Sequence, residues 1–556
     1  MTKLIVVFFI YSLTIQWATA DNQKVAIASA HPLATAAGFE VLAKGGNVYD
    51  AAVAISAALA VVEPFGSGLG GGAYWLIHRE SDNLDVVIDG REKAPLAAHK
   101  DMYIDKSGHI IPKLSLEGPL AAAIPGMPAG LVHIAQKYGR LSLEQDLAPA
   151  IRYASTGFAI GERYLRILQS RVDALKQYPE TANLFLTKDK NVPPVYSILR
   201  QPDLADTLSN IAHKGHAGFY EGETADKLVL GVTQAGGIWS KADLEAYQIV
   251  ERKPVVGNYK GIKVSSASPS SSGGIVLIEA LNILSGYDLN TLIDNQLHHV
   301  IVEAMKRAYH DRSLYLGDPD FIEIPADRLI NKDYAAGLLS SLRLDQALPS
   351  NQLSGQIDIH NEGSNTTHFS IIDQEGNRVA ATLSINFSFG SAFVAPGTGV
   401  ILNDEMDDFD SQPGAMNGYG FVGGVANAIA PGKRMLSSMS PTFLETDKAV
   451  AVLGTPGGSK IISMVLLAAL DFAKGNGPES WVNLPRYHHQ FMPDVIEYEA
   501  SAFSSADIKA LESLGHHLKV VPHPYGDMHA VLLDKTTKSL SAASDKRGEG
   551  SAVVMP

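Results

Sequence analysis

Apolar and polar positions predict a helical pair near the start of the chain. Residues 33–62 are small and apolar, and Gly45-Gly46 interrupts them. This pattern predicts one helix that ends at the two glycines and a second that starts at Tyr49. A glycine-rich segment, 66–72, then leads into a strand-like run at 73–77. The middle of the chain, about 140–340, is more charged and predicts further helices.

A second pattern, at 366–386, predicts a β-hairpin. Two β-rich runs flank a three-residue loop that ends in Gly376, where such a loop needs a left-handed residue. Pairing the residues on either side of the loop sets the register and places Thr366 opposite Ser384. Because side chains alternate along a strand, Ser384 and Asn386 then share a face with Thr366. The polar, turn-rich stretch before the hairpin, 354–365, predicts an exposed linker.

Composition narrows the chemistry. The chain has 556 residues, a formal charge of −14 and no cysteine. Its acidic balance argues against nucleic acid as a partner, since that needs clustered Lys and Arg. Without cysteine there are no disulfides, no thiol catalysis and no thiolate metal sites. Any nucleophile is therefore an oxygen or a nitrogen.

The N-terminus predicts export. Residues 1–20 carry one lysine, an apolar run and a small-x-small ending, which together are typical of a secretory signal. The other interpretation is a buried N-terminal strand. We expect a mature protein without a membrane anchor, in a bacterial periplasm or secreted.

Several familiar motifs lack their required context. Gly66–Gly71 matches G-x-G-x-x-G, but a predicted helix precedes it and a strand follows, the reverse of a dinucleotide site. We therefore expect a close backbone approach there and no cofactor. His299, Glu303 and His310 could share a helix face, yet the two histidines are eleven residues apart and no further zinc ligand is evident, so we expect no metal.

Thr366 is the sharper candidate. A threonine hydroxyl needs a base to act as a nucleophile, and the free α-amine of the same residue titrates near 7.7–8.0. That amine exists only if the chain is cut before it. We therefore predict a cleavage site between Asn365 and Thr366 at the end of the linker.

Further segments offer partners for such a nucleophile. The acidic run 403–409 is bordered by apolar residues, which suggests partial burial and hence a cationic partner. Arg91 has the fork geometry that suits a carboxylate. Ser437 and Ser438 are adjacent hydroxyls, and Gly457-Gly458 can present backbone N–H groups to an oxyanion. Anchors of both charges suit an amino-acid head group.

These residues lie in blocks that resemble the γ-glutamyltransferase (γ-glutamyltranspeptidase) family of the N-terminal-nucleophile hydrolases. The blocks follow the family's order along nearly the whole chain and are 29–54, 63–75, 89–95, 303–321, 365–386, 402–409, 433–443 and 454–461. The resemblance implies an α+β fold, a four-layer αββα sandwich. It also implies that cleavage divides the chain into a large subunit, 21–365, and a small subunit, 366–556, which stay together.

The resemblance also implies a role for each site residue. Thr366 is the nucleophile, Ser384 supports it where the family usually has threonine, and Gly457 and Gly458 form the oxyanion hole. The remaining residues bind the γ-glutamyl group: Arg91, Ser437 and Ser438 at its α-carboxylate, and Asn386, Glu405 and Asp408 at its α-amine. Tyr419 lies in a stretch, 411–432, that resembles the lid of lidded members.

The implied activity is γ-glutamyl transfer and glutathione hydrolysis without a cofactor. Thr366 takes the acyl group from glutathione or a related compound and passes it to water, an amino acid or a dipeptide. Two alternatives stay open. One is a related acylase of the glutaryl-cephalosporin type, and the other is an uncut γ-glutamyl-binding protein. A third, cleavage of poly-γ-glutamate, needs a more open site than the lid-like stretch suggests.

Overall fold

The computed structural model describes residues 24–353, 366–410, 417–418 and 424–555. The predicted export signal, the linker 354–365 with Asn365, and Tyr419 lie outside these residues. Among the described residues, no helix combines the length and apolar character needed to cross a membrane.

The strands are short and spread along the whole chain. They are β1 (Val25–Ser29), β2 (Gly72–Arg79), β3 (Leu84–Gly90), β4 (Phe158–Ala159), β5 (Ile198–Leu199), β6 (Val250–Arg252), β7 (Val255–Tyr259), β8 (Ile262–Ser266), β9 (Thr367–Asp373), β10 (Arg378–Ser384), β11 (Val394–Ala395), β12 (Val400–Ile401), β13 (Thr442–Glu445), β14 (Ala449–Gly454), β15 (Tyr487–His488), β16 (Ile496–Tyr498), β17 (Leu518–Val520), β18 (His529–Asp534), β19 (Leu540–Ser544) and β20 (Ser551–Met555).

The helices include the predicted N-terminal pair and a long middle series. They are α1 (Pro32–Ala43), α2 (Val48–Val62), α3 (Met127–Tyr138), α4 (Leu143–Thr156), α5 (Glu162–Leu175), α6 (Pro179–Phe185), α7 (Pro202–Lys214), α8 (Ala217–Tyr220), α9 (Gly222–Gln234), α10 (Lys241–Glu245), α11 (Gly273–Leu284), α12 (Asp294–Tyr315), α13 (Ala326–Leu329), α14 (Lys332–Leu339), α15 (Ile461–Ala473), α16 (Pro478–Asn483) and α17 (Ser505–Ser513).

Two antiparallel sheets lie face to face at the centre. The first has the strand order β20-β1-β9-β10-β2-β3-β6, and the second has the order β19-β18-β14-β13-β8-β7. Strands β9 and β10 of the first sheet pack on β14 and β18 of the second. Helix α2 covers the outer face of the first sheet, and α11 and α15 cover the second. The αββα sandwich implied by the resemblance is confirmed.

Both faces of the first sheet are buried, in two different cores. On β2, Trp75 and Ile77 belong to the core shared with α2, whereas Tyr74 and Leu76 face the second sheet. Every residue of α2 is buried as well, which fits a helix that is apolar all round. Burial on both faces explains why these segments read as nearly continuous apolar runs.

The predicted hairpin forms in the predicted register. Strand β10 pairs with β9 so that Thr382 faces His368 and Leu383 faces Thr367. One step further along this register, Thr366 lies opposite Ser384. Gly376 has a φ of 119°, the left-handed conformation expected at the end of the loop.

The glycine-rich segment is a close backbone approach, as expected. A side chain at Gly70 would lie 2.0 Å from the carbonyl oxygen of Ile401, and one at Gly71 would lie 2.0 Å from that of Ser384. Helix α2 precedes the segment and β2 follows it. The glycines therefore let this loop pack against the end of β10, beside the predicted nucleophile.

Candidate active site

Most of the predicted site residues line one pocket at the end of β9 and β10. The side chains and backbone that form it belong to Arg91, Thr366, Ser384, Asn386, Glu405, Asp408, Ser437, Ser438, Met439, Gly458 and Ile461. These residues come from widely separated parts of the chain. The structure thus brings together four hydroxyl side chains, a guanidinium, two carboxylates and the start of a helix.

Thr366 and Ser384 meet inside this pocket. Their hydroxyl oxygens lie 3.4 Å apart, and both residues are buried. Ser384 Oγ also accepts the backbone N–H of Asn386 at 2.8 Å. Because that bond occupies an acceptor position, the Ser384 proton is available for Thr366 Oγ1. The hairpin register therefore places a hydroxyl partner beside the candidate nucleophile.

Arg91 is held directly by the acidic segment. Its guanidinium donates to Glu405 Oε2 at 2.5 Å and to Asp408 Oδ2, and its Nε donates to the carbonyl of Met435 at 3.2 Å. Only 1% of Arg91 is exposed. The residues predicted for the α-carboxylate and the α-amine thus form a buried ion pair with each other.

The charges around Arg91 are crowded. Burial raises the pKa of Glu405 well above its ordinary value, although Arg91 opposes that change. Burial also raises the pKa of Glu92 to about 7, and Glu92 Oε2 lies 3.4 Å from the guanidinium. The site therefore has more carboxyl groups than cations close to Arg91, which favours a ligand with an ammonium group.

Asn403 fixes the acidic segment in place. Its amide group donates to the carbonyls of Gly70 and Ala123 at 2.6 and 2.7 Å, and its oxygen accepts the N–H of Glu405 at 3.0 Å. Asn386 adds a second link, since its Nδ2 donates to the carbonyl of Asp404 at 3.0 Å. The predicted partial burial of this acidic run is confirmed, because Glu405 is fully buried.

The two serines form another wall of the pocket. Ser437 Oγ accepts the backbone N–H of Met439 at 3.1 Å. Ser438 Oγ accepts a hydrogen bond from Nη2 of Arg312 at 3.3 Å. Both hydroxyls thus receive a hydrogen bond and can donate their own protons into the pocket.

Gly457 and Gly458 turn the chain from β14 into a helix. Their φ angles are 148° and 55°, and a 3-10 turn at Gly458–Lys460 leads directly into α15. A side chain at Gly457 would lie 2.5 Å from the Cε of Met464, so glycine suits this position. Gly458 lines the pocket, and the N-terminal end of a helix favours negative charge.

A histidine cluster forms away from this pocket. His516, and not His310, joins His299 and Glu303, with His299 Nδ1 and His516 Nε2 2.7 Å apart. His299 Nε2 is bound to the carbonyl of Arg343 at 2.6 Å, which leaves Nδ1 as the acceptor. Lys306 Nζ lies 3.0 Å from Glu303, so an ammonium group already neutralises that carboxylate. The geometry fits a hydrogen-bonded structural cluster.

Two pocket residues and one residue behind the pocket had no role in the sequence prediction. Met439 and Ile461 supply apolar surface in the pocket, and Arg312 supports Ser438. Arg312 lies within a block that carries the family resemblance, but only the fold shows that α12 reaches the serines.

Comparison with known proteins supports the family resemblance found in the sequence. The family model described as Gamma-glutamyltranspeptidase matches residues 34–555. A glutathione hydrolase proenzyme from a Pseudomonas species is 43% identical, over 91% of this chain and 88% of that protein. The crystal structure of a cephalosporin acylase from Bacillus halodurans has a TM-score of 0.85 at 27% identity and covers 96% of both chains. The γ-glutamyltranspeptidase of Helicobacter pylori has a TM-score of 0.57 at 42% identity, over 61% of this chain and 97% of that one.

Proposed function

Because this chain belongs to the γ-glutamyltranspeptidase family, we propose that it is a γ-glutamyltransferase and glutathione hydrolase with Thr366 as its nucleophile. One observation carries the proposal. A single pocket holds the Thr366 hydroxyl together with an arginine, acidic side chains and two serines suited to an amino-acid head group.

The first step we propose is cleavage of the precursor by Thr366. Its Oγ1 attacks the carbonyl carbon of Asn365, and the amide nitrogen of Thr366 leaves as that bond breaks. The departing nitrogen takes up the hydroxyl proton and becomes the α-amine of Thr366. Water then hydrolyses the resulting ester, which yields the carboxylate of Asn365 and restores the hydroxyl of Thr366. The freed amine, with a pKa near 7.7–8.0, is the base for later turnovers.

The fold supports a lasting complex of the two products, 21–365 and 366–556. Strands β9 and β10 from the second product lie between β1 and β2 from the first. In the other sheet, β13 of the second product pairs with β8 of the first. Each sheet thus contains strands from both products, so separation of the products would require the disruption of both sheets.

In the catalytic cycle, the head group of the substrate exchanges with the buried ion pair. Its α-carboxylate accepts hydrogen bonds from Arg91, Ser437 and Ser438. Its α-ammonium donates to Glu405, Asp408 and the Asn386 side-chain oxygen. Each charge of the ion pair thereby keeps a partner of opposite sign, which limits the desolvation penalty of binding.

Acyl transfer then follows at the γ-carbonyl. Thr366 Oγ1 attacks this carbon while the α-amine of Thr366 takes the hydroxyl proton. The α-amine later gives this proton to the departing amine of the substrate. The N–H groups of Gly457 and Gly458 stabilise the oxyanion, and each such donor is typically worth about 3–4 kcal/mol. Water or the amine of an amino acid or dipeptide resolves the γ-glutamyl ester.

The similarity to a cephalosporin acylase supports a second candidate, an acylase for glutaryl amides. A glutaryl group has no ammonium, so it would leave Glu405 and Asp408 without a substrate partner. We therefore favour the γ-glutamyl substrate. Comparing turnover of γ-glutamyl-p-nitroanilide and glutaryl-p-nitroanilide separates the two candidates.

The decisive experiment combines intact mass with activity. We expect the purified protein to contain two chains, the smaller beginning Thr-Thr-His-Phe, and to release p-nitroaniline from the γ-glutamyl amide. A single chain would favour the uncut binding protein, and turnover of the glutaryl amide alone would favour the acylase. N-terminal sequencing of the larger chain from a bacterial host also tests export, because removal of 1–20 leaves Asp21 first.

A further inference from the structure

The segment that carries Ser437 and Ser438 rests on a second serine segment, Ser270 to Ser272. The N–H and the Oγ of Ser272 donate to the carbonyl of Ser437 at 2.8 and 2.7 Å. In return, Ser437 N–H donates to the carbonyl of Ser270 at 3.0 Å. Ser271 Oγ donates to the carbonyl of Met439 at 2.7 Å. These bonds hold the backbone of the pocket serines and leave their hydroxyl groups to other partners.

Arg312, near the C-terminal end of α12, contacts both serine segments. Its Nε donates to Ser272 Oγ at 3.0 Å, and its Nη2 donates to Ser438 Oγ at 3.3 Å. The side chain is buried behind the pocket wall. Burial lowers the pKa of Arg312 to about 10, so the guanidinium still carries its charge at neutral pH.

The chemistry of arginine determines which partner donates in the hydrogen bond between Arg312 and Ser438. A guanidinium has five N–H donors and no acceptor, so Ser438 Oγ is the acceptor in this bond. The Ser438 proton consequently points elsewhere, and Ser438 lines the pocket. Without Arg312, the same hydroxyl could rotate and present its lone pairs to the pocket, which would repel a carboxylate.

We propose that Arg312 is a positioning residue that turns the Ser438 hydroxyl into a donor for the α-carboxylate of the substrate. This inference rests on the γ-glutamyl substrate proposed above and adds a residue that contacts no substrate atom. Arg312 therefore helps the site to select amides that carry an α-carboxylate.

Arg312→Met in the full-length, processed protein tests this role. We expect KM for γ-glutamyl-p-nitroanilide to rise about tenfold, because one hydrogen bond to a charged group is lost, while kcat stays within about twofold. Arg312→Lys should restore part of the loss, since an ammonium keeps the charge and can still donate to Ser438. The matched control is Arg307→Met, a buried arginine of the same helix that contacts Glu303; it should leave KM unchanged.

A double-mutant cycle with Ser438→Ala separates positioning from a general structural effect. If Arg312 acts through Ser438, adding Arg312→Met to Ser438→Ala raises KM by less than about twofold. Effects that multiply, or an unchanged KM in either single variant, would overturn the inference. Wild-type activity is measured in parallel, so failure of the proposed function would be seen separately as a lack of γ-glutamyl turnover.

Ser272→Ala covers the case in which Arg312→Met does not fold or process. This variant removes the hydrogen bond between Arg312 Nε and Ser272 Oγ, which helps to orient the guanidinium. We expect a smaller rise in KM in the same direction, with kcat unchanged. An unaltered KM in Ser272→Ala together with an unaltered KM in Arg312→Lys would also overturn the inference.

Discussion

The two walls of the pocket are built in different ways. The wall with Thr366 and Ser384 is a hairpin of neighbouring residues, and its geometry follows from one strand register. The wall with Arg91, Glu405 and Ser438 is assembled from three distant segments that meet through buried charges and hydrogen bonds. The first wall depends on backbone pairing and the second on electrostatic balance.

This difference assigns different kinetic effects to the two walls. A change in the hairpin alters the reacting oxygen or its partner, so it should lower kcat. A change among the distant segments alters the binding of the head group, so it should raise KM. A hairpin variant that only raises KM, or a variant of the distant segments that only lowers kcat, would contradict this assignment.

The largest effect is expected from Thr366→Ala, which removes the reacting oxygen. The variant should remain a single uncut chain and lose at least about 10⁴-fold in kcat. Thr366→Ser should be cut slowly and keep some activity. The matched control is Thr367→Ala, because the Thr367 hydroxyl donates to Glu63 at 2.8 Å. We expect this control variant to be cut and active. Cleavage of the Thr366→Ala chain between 365 and 366 would remove Thr366 from this role.

Arg91→Lys should have the next largest effect, on the other wall. An ammonium cannot form the forked contact with a carboxylate, so we expect KM for the γ-glutamyl amide to rise about 30-fold with a small change in kcat. Steady-state kinetics on the processed protein measure both values. A normal KM would show that Arg91 does not hold the α-carboxylate.

Ser384→Ala should lower kcat about tenfold and leave KM nearly unchanged, because it removes one neutral hydrogen-bond partner of Thr366 Oγ1. Ser384→Thr keeps the hydroxyl and should retain most of the activity. Stopped reactions at saturating substrate give kcat directly. If KM rises instead while kcat is unchanged, Ser384 belongs functionally with the wall that contains Arg91, Glu405 and Ser438.

The smallest effect concerns pH. Burial raises the pKa of Glu405, whereas an ammonium ligand favours its ionised form, so protonation of this carboxyl competes with binding as the pH falls. We expect KM to rise about threefold between pH 7.5 and 6.0. In Glu405→Gln, this dependence should flatten, because an amide does not titrate. A pH profile of KM with the same slope in both proteins would exclude Glu405 as the titrating group.

The difference between the two walls also explains which parts of the site could be predicted from the sequence alone. The hairpin register could be predicted because Thr366 and Ser384 are joined by one short loop with a diagnostic glycine. The contacts of Arg91 with Glu405 and Asp408 could not, because more than 300 residues separate them along the chain. The resemblance implied a role for each of these residues but not the ion pair that they form with each other.

Burial of polar groups was equally hard to foresee. The acidic run was expected to be partly buried, yet nothing in its sequence indicated that Asn403 ties it to Gly70 and Ala123. The approach of His516 to His299 is another long-range contact that spacing could not reveal. In each case the missing information was which loops meet at the ends of the sheets.

The alternation of strands across the proposed cut has a consequence for biogenesis. Strand β9 has β1 as one neighbour, and β10 has β2 as the other, so neither product can complete its sheet without the other. Under the proposed cleavage, folding must therefore precede scission, and the intact precursor is the species that folds. Separately synthesised halves would each begin with open sheet edges and a tendency to aggregate.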